Sequence, residues 1–400
     1  MSVSPFVILA LTTAGGALIL AYAFRRAGLN TVLGAAAGAA AGFAGPLIFM
    51  LPLDFCTFGE NVKALDAAFG LALMILGAAL ALALVNWFVR VWTRRGQLQP
   101  DAVAAQHPGA FKGWLLPVLL LAPTLIILAL FLYYPSLETF QLSTLLVQLG
   151  ARRTAFVCVA NFTSLITDTG YHNTVVLTMF MSLAIVALGL ILSLAIAVMA
   201  YQPVTGARIY RTLLIWPYAI SPAVAGVIFL LLFNPAGGII NYMLNGLGMA
   251  SVPWLNNPTF APWAVIIASV WKSMGFNILF YIAGLQNVPK DLQEAAAIDG
   301  ANAWQRFWRV VFPLLSPITF FLIITNMTYA FFETFGTIDY LTRGGPLNST
   351  TTMMYRIYQV GIQNNDLGKA AAQSIVLFIL VIGLTIIQFR STGSRVNYGA

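Results

Sequence analysis

The chain has 400 residues, of which 60% are apolar and only 8% are charged. A soluble protein carries about 25% charged residues because its surface faces water. The composition therefore excludes a soluble enzyme, a secreted disulfide scaffold and a disordered protein, and it predicts a polytopic membrane protein. The net charge of +8 does not point to a nucleic acid, because Lys and Arg of membrane proteins collect in cytoplasmic loops.

Nine apolar stretches approach or exceed the length of about 20 residues that a helix needs to cross a bilayer. They predict an all-α, polytopic transmembrane helical bundle of about nine spans, at 5–24, 31–53, 68–89, 114–134, 173–200, 212–233, 263–286, 314–333 and 371–389. The first stretch is interpreted as a retained span, since Arg25 and Arg26 follow the apolar run instead of preceding it as in a signal peptide. With the N-terminus outside, the cytoplasmic side receives 13 basic residues and the external side six, as the positive-inside rule requires.

A polar stretch divides the predicted spans into two groups. Residues 93–113 contain Pro100 and Pro108 and are typical of a cytoplasmic linker. We expect N-terminal accessory helices at 1–92, a core at 114–390 and a cytoplasmic tail at 391–400. The first three spans are rich in small residues, which permit close helix packing. The two cysteines, Cys56 and Cys158, are too few for a disulfide framework, and whether they pair is open.

The cytoplasmic segment 287–313 has the pattern of two short helices. Pro289 suits a first helical turn, Asp291 and Glu294 place negative charge near a helix N-terminus, and Gly300 can end that helix in a left-handed conformation. A second helix at about 302–312 has an apolar stripe of Trp304, Phe307, Trp308 and Val311. Such a stripe also suits a helix that lies on lipid headgroups, so that interpretation is open as well.

The same segment carries a family resemblance. Glu294-Ala295-Ala296, three residues, Gly300, nine residues and Val310-x-Phe312-Pro313 resemble the EAA loop of ABC importer permeases, E-A-A-x3-G-x9-I-x-L-P, with Val310 and Phe312 in place of Ile and Leu. In that family the loop is a coupling helix in a cleft of the ATP-hydrolysing subunit. The resemblance implies ATPase contacts from Glu294, Ala295, Ala296, Asp299, Gly300 and Arg306.

Further segments extend the resemblance over residues 112–395. The segments 216–223, 232–235, 284–289 and 344–346 look like the carbohydrate-uptake branch of these permeases, and within it like the UgpA-type permeases of glycerol-3-phosphate importers. Maltose-type (MalF-type) permeases of the same branch also carry extra N-terminal spans. The implied substrate is glycerol-3-phosphate, a related glycerophosphodiester, or a mono- or oligosaccharide.

The resemblance also implies partners and a location. We expect a multi-pass protein of a bacterial or archaeal cell (inner) membrane that forms half of a pathway with a second permease, as a heterodimer. Two copies of an ABC ATPase, an extracytoplasmic solute-binding protein and membrane lipid complete the expected partners. We expect no enzyme activity, cofactor or metal on this chain, with ATP and Mg on the ATPase, because Gly368-Lys369 lacks the surrounding phosphate-binding pattern. An ion-gradient-driven secondary transporter is the alternative, against which the lack of paired midplane carboxylates counts.

Five residues within predicted spans are candidates for the translocation path. Charged or strongly polar groups in a span usually face a cavity or a partner, which directs attention to Lys272, Asn277, Asn326, Tyr329 and Glu333. The spacing places the last three on one helix face. Helix–helix hydrogen bonds, and an ion pair between Lys272 and Glu333, are the open structural alternatives.

Two prolines interrupt the predicted span 212–233. Pro217 and Pro222 each remove a backbone donor and bend a transmembrane helix. The sequence predicts a kink here, and a fixed bend and a bend at a gate are both open. Ser221 is placed to satisfy backbone groups that the bend frees.

Overall fold

The computed structural model of the chain describes residues 5–26, 31–57, 72, 74–87, 115–148, 150, 155–157, 159–202 and 206–392. They fall into two compact units, Met1–Thr163 with Leu367–Ala372, and Ser164–Asp366 with Gln373–Ala400. The expected linker at 93–113, Cys158, the side chain of Cys56 and nearly all of the expected tail lie outside what is described.

The chain is all-α, as predicted. The elements up to residue 167 are α1 Pro5–Arg26, α2 Thr31–Thr57, α3 Met74–Trp87, α4 Leu115–Leu128, a π-helical turn Ala129–Tyr133, α5 Tyr134–Leu142, β1 Leu145–Leu146, β2 Ala155–Phe156 and α6 Ala160–Thr167. The two short strands pair antiparallel, Leu145 with Phe156 and Leu146 with Ala155.

The remaining elements form the second unit and the last helix. They are α7 Thr169–Tyr201, α8 Ala207–Ile215, a 3-10 turn Trp216–Ala219, α9 Pro222–Leu232, α10 Ile239–Gly246, α11 Ala261–Gln286, α12 Lys290–Ile298, α13 Ala303–Arg306, a π turn Phe307–Val311, α14 Phe312–Leu314, α15 Ser316–Thr328, a π turn Tyr329–Glu333, α16 Thr334–Leu341, α17 Met353–Tyr358, a π turn Gln359–Gln363 and α18 Leu367–Thr392.

The spans of the core agree with the expected positions. Within the described residues, five helical stretches are long and apolar enough to cross a membrane: Val118–Ser143, Thr169–Tyr201, Ala261–Gln286, Ser316–Leu341 and Leu367–Arg390. The three N-terminal positions hold shorter apolar helices, Leu9–Arg25, Thr31–Pro46 and Met74–Trp87.

The span expected at 212–233 differs from a simply kinked helix. It consists of Ile209–Ala219 and Pro222–Leu232, which meet at 101°. The residue before a proline avoids the helical region, and Ser221 is accordingly extended, with its Oγ accepting a hydrogen bond from the N–H of Val224 at 3.3 Å. Thr337 Oγ1 donates to the carbonyl of Pro222 at 3.2 Å. The two prolines therefore break the span into an elbow whose backbone groups have partners.

The first two helices pack as closely as their small residues suggested. A Cβ on Gly38 would collide with the carbonyl oxygen of Gly16, and one on Gly16 would collide with that of Gly38. Any side chain here would push α1 and α2 apart, so both positions require glycine.

The core of the second unit lies around α11, the most buried of the long spans. The helix packs against α7, the elbow and α15, and its buried apolar side chains contact those of these neighbours. Fully buried members of this core include Ile185, Ile266, Ile278, Leu322 and Ile338. Polar groups carried by α11 are consequently held in fixed positions inside the unit.

Candidate functional site

Lys272 is the one charged residue with a buried side chain in the described part of the chain, with 7% of its surface exposed. It lies near the middle of α11. Its Nζ sits 4.9 Å from the centre of the Tyr329 ring and 5.4 Å from the centre of the Tyr218 ring. Aromatic ring faces attract a cation at such distances. The ammonium group is thus held between two rings from two other elements.

The ion pair between Lys272 and Glu333, one of the alternatives that the sequence left open, does not form as a direct contact. Among the described residues, the one ion pair within 4.0 Å joins Arg356 and Asp168. Glu333 acts on Lys272 as a nearby charge, and its own side chain is exposed. The positive charge of Lys272 therefore has a carboxylate in its neighbourhood and none bonded to it.

The predicted common face of Asn326, Tyr329 and Glu333 is altered by a π turn. Tyr329–Glu333 is π-helical, and a π turn takes in one residue more than an α turn. Asn326 is buried, Tyr329 half-buried and Glu333 exposed. Tyr329 and Glu333 both remain near Lys272, and Asn326 faces a different partner.

Asn277 and Asn326 are joined to each other inside the bundle. Asn277 Nδ2 donates to Asn326 Oδ1 at 3.0 Å, and Asn326 Nδ2 donates to Asn277 Oδ1 at 2.6 Å and to the carbonyl of Leu322 at 2.8 Å. Both side chains are buried. This geometry favours a structural bond between α11 and α15, and a contact of either residue with substrate remains a prediction.

The elbow positions Tyr218 beside Lys272. Pro217 is buried and Tyr218 lies next to it in the 3-10 turn. The elbow approaches α11 closely at Gly275, where a Cβ would lie 2.7 Å from the carbonyl oxygen of Ile215. Sequence reasoning flagged the prolines but missed Tyr218, because residues more than 50 positions apart in sequence share no periodic signal.

The segment 287–313 forms the two predicted short helices. Helix α12 ends at Ile298, and Gly300, two residues further on, has a φ of +83°. The N–H of Gly300 donates to the carbonyl of Ala297 at 3.1 Å, and the N–H of Ala301 donates to that of Ala296 at 3.0 Å, which is the Schellman arrangement. Pro289 precedes the helix as its N-cap residue instead of standing in its first turn.

Helix α12 offers its surface to the outside of the unit. None of its residues is buried; Glu294, Ala295 and Asp299 are exposed, Ala296 is half-buried, and Ile298 is 87% exposed. Arg306, in the second helix, is half-buried. Helix α12 therefore presents an exposed, alanine-rich face, and a contact of this face with a partner remains a prediction.

The second helix of the segment 287–313 begins with a capping box. Asn302 Oδ1 accepts from the N–H of Gln305 at 2.8 Å, and Gln305 Oε1 accepts from the N–H of Asn302 at 3.0 Å. Of its apolar stripe, Val311 is buried and Phe307 half-buried, whereas Trp304 and Trp308 are exposed. Val311 and Phe307 therefore anchor the helix to the rest of the unit, and the two tryptophans do not.

An ion pair at the start of α7 was not foreseen. Asp168 is the N-cap residue of α7, where Oδ1 accepts from the N–H of Gly170 at 2.8 Å while Oδ2 pairs with Nη2 of Arg356. The guanidinium group lies 5.7 Å from the centre of the Tyr171 ring. An Asp before a helix is a recognisable cap signal, but its partner 188 positions away is not.

A second polar contact lies close to Arg356. Burial raises the pKa of Tyr355 above its usual value, and the neighbouring Asp339 carboxylate raises it further. The hydroxyl therefore stays protonated and donates to Asp339 Oδ1 at 3.3 Å.

Within the described residues, no three His, Cys, Asp or Glu side chains come together as a metal site.

Comparisons with known sequences agree on one kind of protein. Residues 189–391 match the family described as binding-protein-dependent transport system inner membrane component. The chain is 43% identical, over 72% of its length and 98% of the relative, to the sn-glycerol-3-phosphate transport system permease protein UgpA of Rhizobium meliloti (strain 1021). It is 44% identical over the same shares to the UgpA of Agrobacterium fabrum (strain C58).

A solved structure has the same fold. A chain of a bacterial alginate ABC transporter, in complex with its alginate pentasaccharide-bound periplasmic protein, superposes with a TM-score of 0.63 at 22% identity. The match covers 72% of this chain and 96% of the other. At this level of identity the comparison supports the helical architecture alone.

Proposed function

The chain belongs to the family of binding-protein-dependent transport system inner membrane components, and we propose that it conducts sn-glycerol-3-phosphate across the membrane. As a member of this family it is a multi-pass inner-membrane protein and a permease subunit of an ABC importer. Membership implies a binding protein, a partner permease and an ATPase. The observation that carries the choice of substrate is 43% identity to a glycerol-3-phosphate permease over 98% of that protein.

The proposal extends to the assembly. The partner permease is a related but different chain, and each permease holds one of two ATPase copies. ATP and Mg bind on those ATPases, so that hydrolysis takes place outside this chain. A solute-binding protein delivers substrate at the external side.

Helix α12 is the proposed site of coupling. Its exposed Ala295 and half-buried Ala296 form a small-residue surface that allows a partner's backbone to approach closely, and the exposed Glu294 lies beside them. The Schellman turn at Gly300 ends the helix abruptly, so the following segment turns away and leaves the surface free. Asp299 and Arg306 lie at its edge, available to charged groups of the ATPase.

Uptake by the reconstituted importer tests the proposed substrate. The chain is co-purified with the partner permease, the ATPase and the binding protein of its own operon, and uptake of labelled sn-glycerol-3-phosphate into proteoliposomes is measured. We expect unlabelled glycerol-3-phosphate to compete strongly and maltose to have no effect. Uptake of a neutral sugar without uptake of glycerol-3-phosphate would show that the proposed substrate is wrong.

A further inference from the structure

Lys272 is a positive charge whose burial the protein has not balanced with a bonded carboxylate. A buried charge is costly unless it is paired and hydrogen-bonded, and charged residues inside spans usually face a pathway or a partner. Among the described residues, none gives Lys272 an ion pair within 4.0 Å. An apolar side chain would fill the same space without the free-energy cost of burying a charge, so packing alone does not explain a lysine at this position.

The surroundings of Lys272 attract a cation without neutralising it. The rings of Tyr329 and Tyr218 lie at 4.9 Å and 5.4 Å from Nζ, and ring faces carry no net charge. Glu333 contributes a negative charge from a greater distance. The group of these four residues therefore has an ammonium that can still bind an anion.

This group lies just beneath the surface of its unit. Lys272 is buried, but Tyr218 is 46% exposed and Glu333 is also exposed. Tyr218 belongs to the elbow, and Glu333 to the π turn of the span Ser316–Leu341. Two members of the group are therefore exposed at the surface of the unit, while Lys272 is buried beneath it.

We propose that Lys272 binds the phosphate group of the substrate near the middle of the membrane and is thereby a specificity-determining residue for anionic over neutral substrates. The inference rests on the proposed function, since it requires a phosphate monoester in the pathway. Glu333 balances Lys272 when the pathway is free of substrate, and the phosphate replaces Glu333 as counter-ion during passage. A phosphate dianion attracts the ammonium more strongly than one carboxylate at a longer distance.

The experiment compares two variants of Lys272 with a matched loss of charge elsewhere. Lys272→Met removes the charge and keeps the length, Lys272→Arg keeps the charge, and Arg390→Met removes an exposed cation at the end of α18. Uptake of sn-glycerol-3-phosphate and ATP hydrolysis stimulated by the loaded binding protein are measured in the same proteoliposomes.

We expect Lys272→Met to lower uptake by about tenfold or more, as for the loss of one charged contact, while stimulated hydrolysis persists. Lys272→Arg retains most of the uptake, and Arg390→Met behaves as the wild type. Wild-type uptake in Lys272→Met overturns the inference. An equal loss of uptake and hydrolysis in that variant also overturns it, because it reveals a structural role. A wild-type complex that fails to transport glycerol-3-phosphate contradicts the proposed function itself, and the inference with it.

Discussion

Asn277 on α11 and Asn326 on α15 each donate to the amide oxygen of the other, at 3.0 Å and 2.6 Å. Both side chains are buried inside the unit, where water cannot replace a lost partner. The pair therefore joins two spans whose register also sets the distance between Lys272 and Tyr329.

Each single substitution in this pair should lower the stability of the complex by more than half as much as the double substitution does. Asn326→Ala leaves the amide of Asn277 buried without that partner, a penalty of about 1–3 kcal/mol, whereas the double variant Asn277→Ala with Asn326→Ala leaves neither. We expect a coupling of about 0.5–2 kcal/mol, measured as non-additive shifts in the thermal midpoint of the purified complex. Strictly additive shifts would show that the two amides do not support each other.

The contact between the elbow and α11 should not tolerate a methyl group at Gly275. A Cβ there would lie 2.7 Å from the backbone oxygen of Ile215, so Gly275→Ala must displace the elbow and Tyr218 with it. Without the clash, alanine would favour the helix by about 1 kcal/mol, so a loss of stability and uptake is diagnostic.

Gly383→Ala is the matched control for this variant. Gly383 also lies in a spanning helix, but a Cβ there meets no described atom outside its own stretch of helix within 4 Å. We expect its thermal midpoint and uptake to equal or exceed those of the wild type. If Gly275→Ala behaved in the same way, the close approach of the elbow to α11 would not exist in the assembled protein.

The coupling surface should be more sensitive to size and backbone conformation than to charge. Ala296→Trp adds bulk to the proposed docking face, and Gly300→Val places a β-branched residue at a φ of +83°, a conformation that costs an L-residue roughly 1–2 kcal/mol. Asp299→Ala removes one exposed charge, which contributes about 0–1 kcal/mol. We expect the first two variants to lose ATPase co-purification or binding-protein-stimulated hydrolysis, and the third to keep both. Normal behaviour of all three would indicate that α12 lies on the membrane without a partner.

Two substitutions of Asp168, at the start of α7, separate its role as helix cap from its role in the ion pair. Asp168→Asn keeps an oxygen that accepts from the N–H of Gly170 but loses the charge opposite Arg356, whereas Asp168→Ala loses both. Loss of an N-cap costs about 1 kcal/mol, and a partly exposed pair such as this one contributes about 0–1 kcal/mol. The thermal midpoint of the complex should fall in the order wild type, Asn, Ala. An Asn variant as unstable as the Ala variant would place the whole effect in the ion pair.

Residue spacing along the chain predicted those features that depend on neighbours in sequence. The core span positions followed from apolar length, and the end of α12 followed from Gly300, since both are local properties. Pro217 and Pro222 predicted a bend, but neither its angle of 101° nor the hydrogen bond from Thr337 of another span to the Pro222 carbonyl could be read from local spacing.

The partners of polar residues inside spans were beyond such reasoning. Lys272 was recognisable as a charge in an apolar segment, yet its neighbour Tyr218 and the bond between Asn277 and Asn326 follow only from how three spans pack. A direct ion pair with Glu333, which the sequence left open, does not form, and the side chain of Glu333 is exposed at the end of a π turn near Lys272. These contacts depend on the distances between packed spans, which the spacing of residues along the chain does not give.

The energy source of transport tests the central claim most directly. Proteoliposomes that contain the assembled importer are loaded with ATP and Mg in the absence of any ion gradient, and in parallel with an imposed proton or sodium gradient in the absence of ATP. Uptake of sn-glycerol-3-phosphate should require the enclosed ATP and the external binding protein, and the gradients alone should give none. Uptake driven by a gradient without ATP would contradict the account and identify a secondary transporter.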